Sequence, residues 1–297
     1  MKKRSGTETS AFGTNGRINH DSSKFYNSKL YKELGDKKEL DKNENNFPDC
    51  LENEILLGSA ENMKELPDNS VHLMITSPPY NKAGYEGFIR KRHEKDNWSK
   101  GRNIEYGGEA DNDFMIEAEY QEQQIKVLNE MHRILKPNGS VFYNHKVRVA
   151  QHKASHPIEW ILKSNFTFRQ QIIWDRKSSP AVAPIRYMPT TELIFWLTKT
   201  PCQPNFERAK APLFFGEVWQ FSAKPNPLHP APFPEELPTN IMMCIKDKTE
   251  DFVVYDPYAG TGTTLKVAKS FGLKYFGSEI NSNYCRLANE TLNGTLF

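Results

Sequence analysis

From Ile55 onward, apolar residues fall in short runs separated by polar, glycine-rich or proline-rich stretches, whereas residues 1–50 show little apolar periodicity. Runs at Ile55–Leu57, Val71–Ile75, Ser140–Tyr143, Gln171–Trp174, Glu192–Leu197, Phe252–Tyr255 and Tyr275–Phe276 have the length of buried strands. The clearest helix is predicted over 116–135, where Val127, Leu128, Met131, Ile134 and Leu135 repeat at the spacing of one buried stripe. Lys136-Pro137-Asn138-Gly139 reads as its stop. Further helices are expected over His156–Lys163, Thr263–Phe271 and Ser282–Leu292, with a brief one over Ala60–Leu66. Another is expected to start at Pro238-Thr239-Asn240 and continue through Ile241–Ile245, after a proline-rich segment (201–238) that reads as loop. Strands alternating with helices predict an α/β fold with a largely parallel sheet. Residues 1–50 form an N-terminal arm, mostly extended, with one short helix around 28–34; residues 51–297 form the folded domain.

Composition narrows the class. The 297 residues hold 39 Lys+Arg against 37 Asp+Glu, a net charge of +2, with 37% hydrophobic residues. No window reaches the ~18 consecutive apolar residues of a membrane span. No apolar stretch follows the basic start, so no secretory signal is expected and the chain reads as cytoplasmic. Four cysteines lie far apart without a Cys-x-x-Cys pair, so neither a metal site nor a disulfide framework is expected. The near-neutral total hides a basic stretch within 82–112. There Arg90, Lys91, Arg92, Lys100 and Arg102 are interleaved with Tyr85, Phe88 and Trp98. Such a mixture suits nucleic-acid contact as well as a solvated face.

Two motifs carry candidate chemistry. In the first, Asp256-Pro257-Tyr258-Ala259-Gly260-Thr261-Gly262-Thr263 places a Gly-x-Gly turn between a strand and a helix. Glycine permits positive φ and close backbone approach, and the helix start supplies free N–H donors. Glu279, at the end of the next short strand, is placed to accept hydrogen bonds from ribose hydroxyls. Leu265 stands where a dinucleotide motif needs its third glycine, and no Gly-Lys-Ser/Thr follows, which disfavours pyrophosphate and P-loop ligands. An adenosine carrying an amino acid, S-adenosylmethionine, fits better; an ordinary strand–turn–helix connection is the plain alternative. The second motif, Ser77-Pro78-Pro79-Tyr80, follows a strand. Its prolines remove two donors and leave carbonyls as acceptors, suited to gripping an amino group, with Tyr80 available to stack on a base.

Together these motifs resemble the amino-methyltransferases of DNA, which methylate cytosine N4 or adenine N6 from S-adenosylmethionine. The catalytic turn precedes the cofactor loop, similar to the permuted, beta-type order. The resemblance covers about 51–297 and implies a Rossmann-like class I methyltransferase fold, a mixed seven-stranded sheet with helices on both faces. It assigns catalysis to Ser77, Pro78, Pro79 and Tyr80. It assigns cofactor binding to Asp256, Tyr258, Ala259, Gly260, Gly262, Thr263 and Glu279, with His229 and Phe233 closing over the methionine part. Ser77, and the segment His229-Pro230-Ala231-Pro232-Phe233-Pro234, resemble the cytosine-N4 branch; adenine N6 stays open. Ser59 and His72 stand where members often carry aspartates. Segments 82–112 and 200–224 are expected to read double-stranded DNA. A non-catalytic DNA-binding protein with a vestigial cofactor loop is the reading from another class. The resemblance leaves open a cognate restriction endonuclease, and monomer versus homodimer.

Overall fold

The most apolar strands occupy the middle of a sheet whose two faces are both covered, which is why they read as near-continuous hydrophobic runs. The computed structural model describes residues 43–81, 115–150, 153–179, 187–199, 203–207, 216–223, 233–246 and 248–294. The expected helix at 28–34, the basic residues Arg90, Lys91, Arg92, Lys100 and Arg102, His229 and most of 200–224 lie outside them. In chain order the elements are β1 (Glu54–Leu57), β2 (Val71–Thr76), α1 (Glu117–Ile134), β3 (Leu135–His145), β4 (Arg148–Ala150) and β5 (Lys153–Ser155). There follow α2 (Ile158–Ile161), β6 (Thr167–Asp175), β7 (Thr191–Thr198), β8 (Val218–Gln220), α3 (Glu236–Met243), β9 (Val253–Asp256), α4 (Thr263–Ser270), β10 (Lys274–Glu279) and α5 (Ser282–Asn293). Among the described residues no helix is long and apolar enough to cross a membrane.

The main sheet runs β1-β10-β9-β2-β3-β7-β6-β8, and β4 and β5 form a separate hairpin. Strands β1, β10, β9, β2 and β3 are parallel, while β7 pairs antiparallel with both β3 and β6. The sheet is therefore mixed, with β7 as its reversed strand. Seven strands match the expected architecture; the eighth, β8, is a three-residue edge strand inside the segment read as loop. One face packs Val71, Met74 and Val141 against Val127, Leu128 and Met131 of α1 and Trp160 of α2. The other packs Leu73, Ile75 and Phe142 with Ile241 of α3, Leu265 of α4 and Ala288 of α5. From β9 the chain crosses through α4 to β10 on one side, and from β2 through α1 to β3 on the other. That reversal opens a crevice at the carboxyl ends of β2 and β9, where sheets of this kind bind ligands.

Three expectations change. Ala60–Leu66 is a pair of turns, not a helix: Asn62 N–H bonds to Ser59 O and Leu66 N–H to Met63 O. The Arg133 guanidinium binds the carbonyls of Met63 and Leu66 (2.8 and 2.9 Å), replacing the amides a helix would supply. Lys136–Gly139 ends α1 but belongs to β3, in a register irregularity opposite Val71–Leu73 where Pro137 need not donate. A side chain at Gly139 would lie 2.8 Å from the His72 carbonyl, so only glycine fits this bulge. Helix α3 starts at Glu236, with Pro238 in its first turn, where its missing N–H is harmless.

Two histidines buried in this frame make it acid-sensitive. His72 accepts the Val253 N–H (3.0 Å) and stacks on Phe252, and burial, reinforced by Lys136, lowers its pKa to about 4. His132 packs edge-on against Phe166 and is lowered to about 4 by burial and then Lys199. Unfolded rings bind protons near pH 6.5 that the native rings refuse. Their contribution is thus present above ~6.5 and lost as pH falls toward 4, about 1–2 kcal/mol each after discounting partial exposure. The melting temperature is expected to drop between pH 7 and 4.5, and less so in His72→Asn; a flat profile in the unaltered protein contradicts the assignment.

Candidate active site

β2 and β9 are adjacent, with Leu73 opposite Val254 and Met74 opposite Tyr255, so the residues following each strand emerge side by side. The tie between them is covalently remote. Thr76, the last residue of β2, donates its hydroxyl to Asp256 Oδ1 at 2.7 Å, across 180 residues of sequence. Thr264 of α4 donates to Asp256 Oδ2 (2.8 Å), and the Tyr258 N–H donates to Oδ1 (3.0 Å). Asp256 is buried, and burial lifts its pKa to about 6 against these bonds. Its side chain thus works as the clamp holding the Ser-Pro-Pro-Tyr turn beside the glycine loop.

Within the turn, Ser77 Oγ and Tyr80 Oη lie 2.7 Å apart. Tyr80 donates to Glu192 Oε2 on β7 (2.9 Å), and Asn144 Nδ2 at the end of β3 donates to Tyr80 Oη (2.8 Å) and Glu192 Oε2 (3.0 Å). Arg176, just past β6, pairs with Glu192 at 3.1 Å. The Pro79 carbonyl accepts the buried Tyr120 hydroxyl of α1 at 2.7 Å, and Tyr120 in turn contacts His145 Nε2 at 2.8 Å. Pro78's carbonyl receives no such bond among the described residues and is the turn's acceptor toward a ligand. Asn81 closes the turn at φ 46° and is tied to Met115 O. His145 is fully buried with its pKa held well below the usual value, chiefly by that burial. It is a structural histidine, and its ring packs 4.6 Å from that of Tyr80. The Lys146 ammonium lies 5.1 Å from the Tyr80 ring centroid, so an incoming base shares that ring with a cation.

On the cofactor side, Gly260 and Gly262 adopt φ of 54° and 83°, the left-handed region that explains both glycines. Ala259 N–H bonds to Ser278 O, and Gly260 N–H to Glu279 Oε2 at 2.8 Å, while Glu279 Oε1 accepts the Asn281 N–H. Glu279 therefore pins the loop to β10, and its unused lone pairs remain for hydroxyl donors. Thr263 opens α4, whose first-turn N–H groups have no intrahelical acceptor. Gly277 lets the loop sit close: a Cβ there would lie 3.0 Å from Ala259 Cβ and 2.7 Å from Leu265 Cδ1. A cavity of about 240 Å³ lies at the same sheet edge, lined by Gly58, Ser59, Met63, Tyr255, Phe276 and Ser278. Phe233 packs partly buried against the core face that holds α3.

These residues fit S-adenosylmethionine. Asp256 and Glu279 are both raised in pKa, first by burial, and form no ion pair among the described residues. Two uncompensated buried carboxylates suit a cationic ligand and oppose a phosphate-bearing one. The expected residues thus come together in two adjoining groups, joined by Thr76 and Asp256. Thr76, Thr264, Tyr120, Arg176 and Glu192 carry no motif of their own; only the fold brings them to the site.

Comparison with known proteins agrees. The N6/N4 methyltransferase family, described as DNA methylase, matches residues 71–290. Type II methyltransferase M.BglII of Bacillus subtilis is 28% identical over 283 residues, spanning 84% of this chain and 71% of that protein. DNA adenine methyltransferase YhdJ of Escherichia coli K12 is 26% identical over 270 residues, spanning 78% and 80%. The fold is that of the PvuII DNA methyltransferase, cytosine-N4-specific, at a TM-score of 0.59 and 18% identity over 81% of this chain and 92% of that one. A DNA modification methylase of Thermus thermophilus, solved with S-adenosyl-L-methionine, aligns at a TM-score of 0.57 and 22% identity over 81% and 93%. The chain belongs to the N6/N4 DNA methylase family, the S-adenosylmethionine-dependent amino-methyltransferases of DNA.

Proposed function

We propose that this enzyme methylates the exocyclic N4 of a cytosine flipped out of duplex DNA. The observation that carries this reading is Ser77, a neutral hydroxyl heading a rigid proline turn clamped beside the glycine loop. The amino lone pair of a base is delocalised into its ring, so the nitrogen is a poor nucleophile. Ser77 Oγ and the Pro78 carbonyl accept its two N–H bonds and favour a more tetrahedral, electron-rich nitrogen. Tyr80 holds the ring plane, and the fixed turn supplies alignment. When bound, S-adenosylmethionine supplies an electrophilic methyl group on a sulfonium. Asp256, Tyr258, Ala259, Gly260, Gly262, Thr263 and Glu279 shape its pocket, with His229 and Phe233 over its methionine end. The basic residues Arg90, Lys91, Arg92, Lys100 and Arg102 contact phosphates, and 82–112 with 200–224 reads the sequence. The Type II relatives favour a cytoplasmic role in restriction–modification, with a cognate endonuclease.

The second reading, adenine N6, is favoured by the similarity to an adenine methyltransferase. Expressing the chain in a methylation-free host, digesting the DNA and weighing the nucleosides separates the two. N4-methylcytosine is expected; N6-methyladenine alone replaces the cytosine reading, and no methylated base supports the non-catalytic alternative.

A further inference from the structure

A serine hydroxyl donates as readily as it accepts, yet an amino group needs acceptors. Hydrogen accounting in the turn shows how the direction is set. A carboxylate only accepts, so the Tyr80 proton points at Glu192 Oε2 (2.9 Å). The Asn144 amide nitrogen only donates, and it points at Tyr80 Oη (2.8 Å). The hydrogen on the 2.7 Å Ser77–Tyr80 contact must then come from Ser77. Ser77 is left with lone pairs alone to offer a substrate. Glu192, only 7% exposed, is steadied by Arg176, whose Nη2 is itself bound to Pro189 O at 2.7 Å.

We propose that Glu192 sets the direction of this hydroxyl chain and is the terminal acceptor of the proton that the target amine loses; this rests on the amino-methyltransfer reading. The amine lone pair forms the N–C bond, and the electrons of the broken C–S bond stay on sulfur. The nitrogen, now cationic, gives one proton to Ser77 Oγ while Ser77 passes its own to Tyr80 Oη and Tyr80 passes its own to Glu192 Oε2. The products are a neutral methylated amine and a protonated Glu192 carboxyl, which returns its proton to solvent before the next turnover. Asn144, an amide between these groups, takes no proton and keeps the two oxygens together. The charged and titratable groups around this chain are Arg176 from beyond β6, His145 and Lys146 at the end of β3, and Tyr80 itself.

The test uses the full chain, labelled S-adenosylmethionine and unmethylated bacterial genomic DNA, with single-turnover transfer measured across pH. Glu192→Gln keeps size and an acceptor oxygen but takes no proton; Tyr80→Phe keeps the ring and cuts the chain. Each is expected to slow transfer about 100-fold with cofactor affinity within twofold. The double variant should be no more than about threefold slower than the worse single one. The acid-side fall in the unaltered enzyme's pH–rate profile should vanish in Glu192→Gln, and Glu192→Asp should restore part of the rate. Transfer by Glu192→Gln within threefold of the unaltered enzyme overturns the proposal. So does a slowed variant that keeps the pH profile, or two losses that multiply, since either marks a merely structural role. If the unaltered enzyme labels no DNA, the methyltransfer reading itself fails.

Discussion

Tyr80→Ala is expected to lower methyl transfer to DNA by about 10³-fold while S-adenosylmethionine affinity stays within about twofold. Base stacking on an aromatic ring is worth about 1–3 kcal/mol, and a buried hydrogen-bonding group left unsatisfied costs about 1–3 kcal/mol more. Alanine removes both the ring and the hydroxyl that joins Ser77, Asn144 and Glu192. The Thr76–Asp256–Thr264 clamp and the glycine loop are held by bonds of their own, so the cofactor half persists. Titration calorimetry for the cofactor and single-turnover labelling for transfer give the two numbers. A variant that transfers within tenfold of the unaltered enzyme removes Tyr80 from the chemistry.

Asp256→Ala should have the largest structural effect, because three donors lose their acceptor together in a buried site. Thr76 Oγ1, Thr264 Oγ1 and the Tyr258 N–H all point at this carboxylate. A loss of about 3–4 kcal/mol follows from leaving two or three buried donors unsatisfied, or roughly 6–10 °C in melting temperature. Cofactor affinity should fall more than about tenfold as the loop and the turn separate, 1.4 kcal/mol being tenfold. Asp256→Asn tests the charge alone. The folded carboxyl has its pKa raised to about 6, so the native state takes up a proton that the unfolded chain, near 3.8, does not. The stability this gives is present at low pH and lost as pH rises through about 6, the reverse of the His72 and His132 dependence. Asn removes it, and acid unfolding should therefore begin at higher pH in Asp256→Asn than in the unaltered protein. An unchanged acid limb would show that Asp256 titrates normally.

Several elements were legible because the feature that specifies them is local. The stripe Val127, Leu128, Met131 and Ile134 specifies α1 by its period alone, and all four are fully buried. Gly260 and Gly262 announce positive φ because other residues are strained there. Pro78 and Pro79 announce a turn because their rings forbid regular structure. Ala60–Leu66 misled for the complementary reason: Met63 and Leu66 have helical spacing, but the carbonyls a helix would use are taken by Arg133, 67 residues away in sequence for Leu66. The three-residue β8 was equally hidden, since it exists only by pairing with β6 at Ile173–Asp175.

The linear chain by itself determined the two chemical halves and their order: a proline turn after one apolar strand, a glycine loop after another, and an acid after a third. It did so because strand, turn and helix preferences are decided within a few neighbouring residues. Only the tertiary structure decided that the halves meet, that Asp256 clamps rather than faces the ligand, and that Glu192 and Arg176 stand behind Tyr80. Those contacts follow from strand order and register, with β9 beside β2 and β7 beside β3, and cross-strand neighbours leave no periodic trace along the sequence.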